Sequence, residues 1–316
     1  MRPSAPQPEL ADDPRHLPVL ADAVVAALRP VAGERFLDAT CGLGGHAARV
    51  LAAGASVVGV DRDPAARAIA GERLAPFAGR FTQRAGTFAA VAAECLLHHE
   101  HFHGILMDLG VSSVQLDDHG RGFSIRAEVR ADFRMDPTSG EDATDLIDRL
   151  DESELADVLF QFGEERRSRR IAKAIKRERA AGGCTTAAEL AETVRAAVPG
   201  HHPRHPALRT FQALRIAVND ELDELKRMLD LLPDLLLPGG RAVVISFHSL
   251  EDRLVKHGFR DQLAAGRLAA IARHPVVADD AELSVNPRAS SAKLRWATRH
   301  PAPPAPGIQS PVSSLP

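Results

Sequence analysis

The chain has 316 residues, 45% of them hydrophobic, and a formal net charge of −3 at pH 7. This supports one large domain or two modest ones with a real core, and it excludes a uniformly basic nucleic-acid binder while leaving room for a local basic patch. Cys41, Cys95 and Cys184 are scattered, without metal-ligand spacing or a disulfide framework, no apolar run reaches membrane-spanning length, and Met1-Arg2-Pro3-Ser4 lacks the apolar core of a signal peptide, so the expectation is a cytoplasmic protein with no metal and no membrane contact.

Residues 1–15 are Pro-rich and polar, as are residues 300–316, and both ends read as disordered tails. Between them, Val19 to Leu28 predicts an amphipathic helix stopped by Pro30. Arg35 to Asp38 is a short buried strand that runs into a Gly-rich turn, and His46 to Ala53 is helical up to Gly54. Ser56 to Val60 is a second strand ending at Asp61, and Pro64 opens the next helix at a position that suits proline. Phe81 to Arg84 gives a third strand and Gly104 to Asp108 a fourth. Strands alternating with helices imply an α/β fold with a mostly parallel sheet covered on both faces.

The rhythm breaks after Asp118. Residues 118–206 show no convincing strand, and Asp151–Phe162, Glu165–Arg179 and Ala187–Val198 read as helices, so this stretch is expected to be an inserted helical domain. The α/β pattern then resumes. One long helix is expected over Thr210–Leu232, a strongly apolar strand over Arg241–Phe247, and a last edge strand over Lys293–Ala297. The main domain would comprise residues 16–117 and 207–299.

Glycines after a first strand let the backbone approach a ligand at a helix N-terminus. Gly42-x-Gly44-x-x-Ala47 fits the dinucleotide fingerprint as well as it fits a methyltransferase turn, so the glycines leave a nicotinamide oxidoreductase open. Asp38 shifts the balance, because a carboxylate just before the turn would repel a pyrophosphate and attract a cationic ligand. Asp61 can accept ribose hydroxyls with either cofactor. Asp108 adds a third carboxylate to the same crevice.

Further motifs then carry a family likeness. Asp38-Ala39-Thr40-x-Gly42-x-Gly44-Gly45-His46 and Asp61-Arg62-Asp63-Pro64 are followed by Asp108-Leu109-Gly110-Val111-Ser112-Ser113-x-Gln115-Leu116-Asp117, Arg121-Gly122-Phe123-Ser124 and Arg134-Met135-Asp136-Pro137. Next come Phe162-Gly163-Glu164-Glu165-Arg166, the run from His205 to Asn219, Ser246-Phe247-His248-Ser249-Leu250-Glu251-Asp252-Arg253 and Asn286-Pro287-Arg288. In unbroken order from His16 to Arg299, the sequence resembles the bacterial ribosomal RNA small-subunit methyltransferase H family, also called the MraW family. The resemblance implies a class I, Rossmann-like methyltransferase domain with an inserted all-helical domain. It implies S-adenosylmethionine as cofactor and methylation of cytidine N4 in the decoding centre of 16S rRNA, within an assembled or nearly assembled small ribosomal subunit. Cofactor contacts carried over by position are Gly44, Gly45, His46, Asp61, Phe88, Asp108 and Gln115, with Phe88 placed to cover an adenine ring. Cys41 and Phe133 depart from the family's common Phe and Met. A non-catalytic ribosome-assembly or RNA-binding protein that retains the fold is the other alternative, against which the intact Gly44-Gly45-His46, Asp61 and Asp108 stand.

The exocyclic amine of cytosine is a poor nucleophile, so the reaction would rest on in-line positioning and on acceptors for the amine hydrogens. Asp108, with the carbonyls of Leu109 and Gly110, is expected to hold the amine as well as the cofactor. The target base would be unstacked into a pocket for which Phe123, Phe247 and His248 are candidates. Arg166, Arg167, Arg169, Arg170, Lys173, Lys176, Arg177 and Arg179, with a smaller cluster at Arg204, His205 and Arg209, are candidates for an electrostatic grip on RNA.

Overall fold

The structure is a computed structural model, and it describes residues 17–112, 115, 116 and 119–302. The Pro-rich ends read as disordered tails lie almost wholly outside these residues.

Short apolar segments build a seven-stranded sheet from β1 (Arg35–Asp38), β2 (Ser56–Asp61), β3 (Phe81–Ala85), β4 (Phe102–Asp108), β5 (Leu236–Ser246), β6 (Leu268–Ile271) and β7 (Lys293–Arg299). The strand order is β3-β2-β1-β4-β5-β7-β6. β1 pairs in parallel with β2 and β4, β2 with β3, and β4 with β5. β7 runs antiparallel to both β5 and β6. The segment expected at the edge therefore lies inside the sheet, and that edge is formed by β6, which the sequence pattern did not announce. β6 has four residues and an exposed middle, so it carries no apolar run to read.

Helices cover both faces because the strands are apolar on both. α1 (Ala21–Leu28), α2 (Gly45–Ala52) and α3 (Pro64–Leu74) contribute Val24, Leu28, Leu51 and Leu74 to one core. α4 (Phe88–Leu97) contributes Val91 and Ala92 to the other. Asp63 caps α3, its Oδ1 accepting from Ala65 N at 3.0 Å, with Pro64 in the first turn where its missing N–H costs nothing.

A third core belongs to the helical segment that follows β4. α5 (Ala143–Arg149), α6 (Glu152–Gly163), α7 (Ser168–Ala180), α8 (Ala187–Ala197) and α9 (Ala207–Asn219) bury Ile147, Leu155, Leu159, Ile171, Ile175, Leu190 and Leu214 against one another. The long helix expected over Thr210–Leu232 is two helices, α9 and α10 (Glu221–Leu235). Asp220 between them adopts φ 54°, a left-handed conformation that ends α9 while the amphipathic pattern runs on unbroken. α10 and α11 (Ser249–Ala264) then return to the sheet core through Leu225, Leu229, Val255 and Phe259, and the short α12 (Asp280–Val285) precedes β7.

Within the helical segment, Asn219 Nδ2 donates to Phe133 O and its Oδ1 accepts from Met135 N, both at 2.7 Å. Other polar joints tie the segment to the sheet domain. Arg121 Nη1 donates to Asp63 Oδ2 at 2.9 Å. Glu164, past the end of α6, accepts from Ser249 Oγ at 2.6 Å and from Arg253 Nη2 at 3.0 Å.

Candidate active site

The carboxyl ends of β1, β2 and β4 bring Asp38, Asp61 and Asp108 to one edge of the sheet, at the point where strand order reverses. Open α/β sheets bind ligands at this point. A cavity of about 480 Å³ opens here. Thr40, Gly42, Gly45 and His46 line it from the first turn, Asp61 from β2, Phe88 from the start of α4, Asp108 from the end of β4, and Gln115 from the segment after β4.

Each side chain is held for a reason that can be traced. Asp61 Oδ2 accepts from Gly42 N and Oδ1 from Asp63 N, both at 2.8 Å. That fixes the carboxylate, and each oxygen keeps a further lone pair. Burial raises the Asp61 carboxyl above its ordinary range against those two amides. Gly42 has φ 52°, a left-handed conformation that favours glycine, and a Cβ there would make only an ordinary contact with Thr40 O at 3.9 Å, so the requirement for glycine is conformational. Gly44 does not line the cavity: it caps α2 at φ 77°, and a Cβ there would come within 2.8 Å of Leu74. Gln115 is buried, donating from Nε2 to Asp63 Oδ2 at 3.0 Å and accepting at Oε1 from Ser112 N at 2.9 Å. Its carboxamide thus braces the loop after β4 against the start of α3.

Asp38 sits behind the cavity wall. It is 3% exposed and does not line the cavity. Its Oδ1 accepts from Thr40 N at 3.3 Å, and its Oδ2 has no partner among the described residues. Burial, opposed by His46 and by the Thr40 amide, pushes its carboxyl up to about 7. Both ring nitrogens of His46 and Oδ1 of Asp108 are also buried without a hydrogen bond among those residues, although His46 Nε2 stands 3.5 Å from Asp108 Oδ2. Asp108 N donates to Thr40 Oγ1 at 2.6 Å, which locks the end of β4 to the first turn. Buried polar groups left open in this way are what a polar ligand completes.

A profile of the MraW methylase family matches residues 13–300. The chain belongs to the MraW methylase family. Among its relatives, the ribosomal RNA small subunit methyltransferase H of Sorangium cellulosum is 48% identical over 298 residues, covering 93% of this chain and 94% of that protein. The protein of the same name from Synechococcus sp. (strain CC9902) is 51% identical over 295 residues, covering 90% and 97%. The one from Deinococcus radiodurans is 46% identical over 293 residues, covering 91% of each.

In this member of the MraW methylase family, Phe247, expected at the base pocket, lines the cavity from the β5–α11 turn, and further residues whose part the sequence did not disclose join it. Met135 and Arg215 come from the helical segment, Glu221 and Leu225 from α10, and Glu251 from the first turn of α11. Arg215 clasps Glu221 in both prongs, Nε to Oε1 at 2.7 Å and Nη2 to Oε2 at 2.8 Å. Glu251 Oε2 accepts from Phe247 N at 2.8 Å, and its Oε1 lies 3.2 Å from His248 Nε2. Burial pushes Glu251 up, but His248, Arg215 and the Phe247 amide outweigh it and hold the carboxyl below its usual range. Among the described residues, Glu221, His248 and Glu251 bring donor atoms within 4.8 Å of one another, close enough to hold a cation. Both carboxylates are already engaged, however, by Arg215 and by backbone amides, so the group is a compensated ion-pair network.

Of the residues expected at the base pocket, only Phe247 lines the cavity. His248 caps α11 instead, its Nδ1 accepting from Glu251 N at 3.4 Å in a capping box. Phe123 stacks on Phe133 with ring centroids 6.1 Å apart, in the core of the helical segment. Glu251, three residues after His248, was legible as the other half of that box. Arg215 and Glu221 had no such signal, since charges at helical spacing also read as a solvated face. Among the described residues, no helix is long and apolar enough to cross a membrane.

Proposed function

We propose that this protein binds S-adenosylmethionine in the cavity and methylates N4 of a cytidine in the decoding centre of 16S ribosomal RNA, within an assembled or nearly assembled small subunit. The observation that carries the cofactor is the convergence of Asp38, Asp61 and Asp108 with buried, unpartnered atoms on Asp38, His46 and Asp108. Such a set suits a ligand with a cationic amino-acid group and disfavours a pyrophosphate. Membership of a methylase family supports the same cofactor, and the names of the relatives support small-subunit ribosomal RNA as the substrate.

When bound, the cofactor supplies an electrophilic methyl group on a sulfonium sulfur. The chain's own residues do the rest. Asp61, fixed by the Gly42 and Asp63 amides, accepts the ribose hydroxyls. Phe88 covers the adenine. Gly45, at the start of α2, lets the backbone approach, and Gly44 shapes that turn from behind. His46 and Asp108 satisfy the amino-acid end, while Gln115 holds the loop after β4 in place. Asp108, with the carbonyls of Leu109 and Gly110, orients the acceptor amine, so that its lone pair faces the methyl, and takes up the proton the nitrogen sheds. The cytidine is splayed out of its RNA context to enter.

The deciding test is transfer from methyl-labelled cofactor to small subunits lacking the modification, followed by mass mapping of the methylated nucleoside. N4-methylcytidine in the decoding centre is the expected product. Methyl on another base, or none where a related enzyme works, overturns the reading.

A further inference from the structure

The wall that faces Gly110 holds a costly feature which cofactor binding leaves unused. Arg215 and Glu221 form a bidentate ion pair with side chains only 15% and 10% exposed, and both line the cavity. Met135, Leu225 and Phe247 surround them along the same lining. Burying two charges costs several kcal/mol per ion before their attraction is counted, and an apolar pair of similar volume often serves stability as well or better. Stability alone therefore gives weak reason for the pair to stand in a ligand cavity.

The geometry of the pair is that of a hydrogen-bonding edge. Glu221 gives one lone pair on each oxygen to Arg215 and keeps the others. Arg215 uses Nε and Nη2, and its Nη1 has no hydrogen-bond partner among the described residues. Acceptor and donor thus stand side by side. The wall continues through Glu251, whose charge bears on Arg215, to Phe247. The Phe247 ring lies 3.5 Å from where a Cβ on Gly110 would be. The edge therefore shares one cavity with Asp108, Leu109 and Gly110, where the acceptor amine is placed, and Phe247 spans from this wall to Gly110.

We propose that Arg215 and Glu221 read the edge of the target base: Glu221 accepts a hydrogen from the exocyclic amine and Arg215 Nη1 donates to the adjacent ring nitrogen. This rests on the cytidine N4 reading above. Cytosine offers an amine donor beside the N3 acceptor, which complements the pair. Uracil offers a carbonyl oxygen beside an N–H, so that both contacts become repulsive. The pair is a specificity device on the base side of the cavity, separate from the cofactor's contacts.

The test uses the full chain and the variants Arg215→Met, Arg215→Lys and the double variant Arg215→Met/Glu221→Leu, which removes both charges of the pair together, leaves Glu251 with His248 and the Phe247 amide, and so guards against a mere folding failure. Affinity for S-adenosylhomocysteine should stay within about twofold, while kcat/KM on unmodified small subunits falls by about 10–100-fold, the worth of one good bidentate base contact. A second readout reports the contact itself. Cytidine and 3-deazacytidine, which lacks only the ring nitrogen acceptor, are titrated directly into protein saturated with S-adenosylhomocysteine. The wild-type protein should prefer cytidine by about tenfold or more, and Arg215→Met should bind the two alike. An unchanged preference in Arg215→Met, or a parallel loss of S-adenosylhomocysteine affinity in the double variant, overturns the proposal. If the mapped product is not N4-methylcytidine, the functional reading falls instead, and the nucleoside titration still reports whether Arg215 meets the ring nitrogen.

Discussion

His46 Nε2 lies 3.5 Å from Asp108 Oδ2 across the carboxyl edge of the sheet, and neither group has a hydrogen-bonding partner on its far side among the described residues. The two are held apart by the backbone, His46 on the first turn of α2 and Asp108 at the end of β4. A polar ligand group between or beside them would complete both. Asp108→Asn should therefore weaken S-adenosylmethionine binding by about tenfold, or ~1.4 kcal/mol, in isothermal titration. It should lower kcat on small subunits as well. Near-normal turnover with cofactor affinity intact would strip Asp108 of both roles.

Asp38 makes a prediction in pH. Its carboxyl is raised from 3.8 to about 7, first by burial and then by the neighbouring Asp108 and Asp61, against the pull of His46 and the Thr40 amide. A raised acid contributes stability that is complete below the unfolded pKa and lost as pH rises through the folded one. Stability should thus fall between about pH 4 and pH 7 on this account, and Asp38→Asn should flatten that fall and raise Tm at about pH 8. The gain should be about 2–4 °C for each kcal/mol recovered. A cationic ligand favours the carboxylate, so cofactor binding near neutral pH should release a fraction of a proton. Calorimetry in two buffers of different ionisation heat measures that release, and it should vanish in Asp38→Asn.

Asp63 is fully buried and serves Ala65 N, Gln115 Nε2 and Arg121 Nη1 together. Removing it by Asp63→Ala leaves Arg121, itself nearly buried, without its counter-charge. The expected cost is about 3–5 kcal/mol in urea unfolding. Because Gln115 loses its anchor as well, cofactor affinity should drop in the same variant. A cost below about 1 kcal/mol would show that solvent reaches Arg121 freely.

On α7 and the turn before it, the basic residues divide by function. Lys176 Nζ donates to Ile147 O and Leu150 O, and Arg179 pairs with Asp148, so these two serve the fold. Arg166, Arg167, Arg169, Arg170 and Lys173 are exposed and make no ion pair among the described residues. The double reversal Arg166→Glu/Arg170→Glu should weaken small-subunit binding and reduce the slope of log affinity against log salt by about 1 for each phosphate no longer neutralised. Unchanged affinity at low salt would place the RNA elsewhere.

The sheet was largely legible because its strands are short apolar runs that end in acidic residues at the carboxyl edge, as at Asp38, Asp61 and Asp108. Strand neighbours were not, since order is set by long-range pairing: nothing within Lys293–Ala297 says that β6 will lie outside it. The break at Asp220 escaped for a related reason, because one left-handed residue ends a helix without disturbing the apolar rhythm on either side. At the site, Asp61 and Asp108 follow from strand ends and the turn from its glycines. Gly44, expected at the cofactor, caps α2 at φ 77°, where a side chain would run into Leu74. Arg215 and Glu221 meet only because α9 and α10 bend at Asp220, so their pairing could not be read before the bend was known.

Asn219 closes a chain excursion of more than eighty residues with one carboxamide, since it holds the backbone of Phe133 and Met135 from the far end of the helical segment. Departure and return therefore occur at a single point beside the cavity. Apart from the joints that Arg121 makes with Asp63 and Glu164 makes with Ser249 and Arg253, the helices distal to that clasp could be lengthened or exchanged in evolution while the sheet below stayed as it is. The helical segment and the sheet can then diversify at different speeds, joined by a handful of side chains.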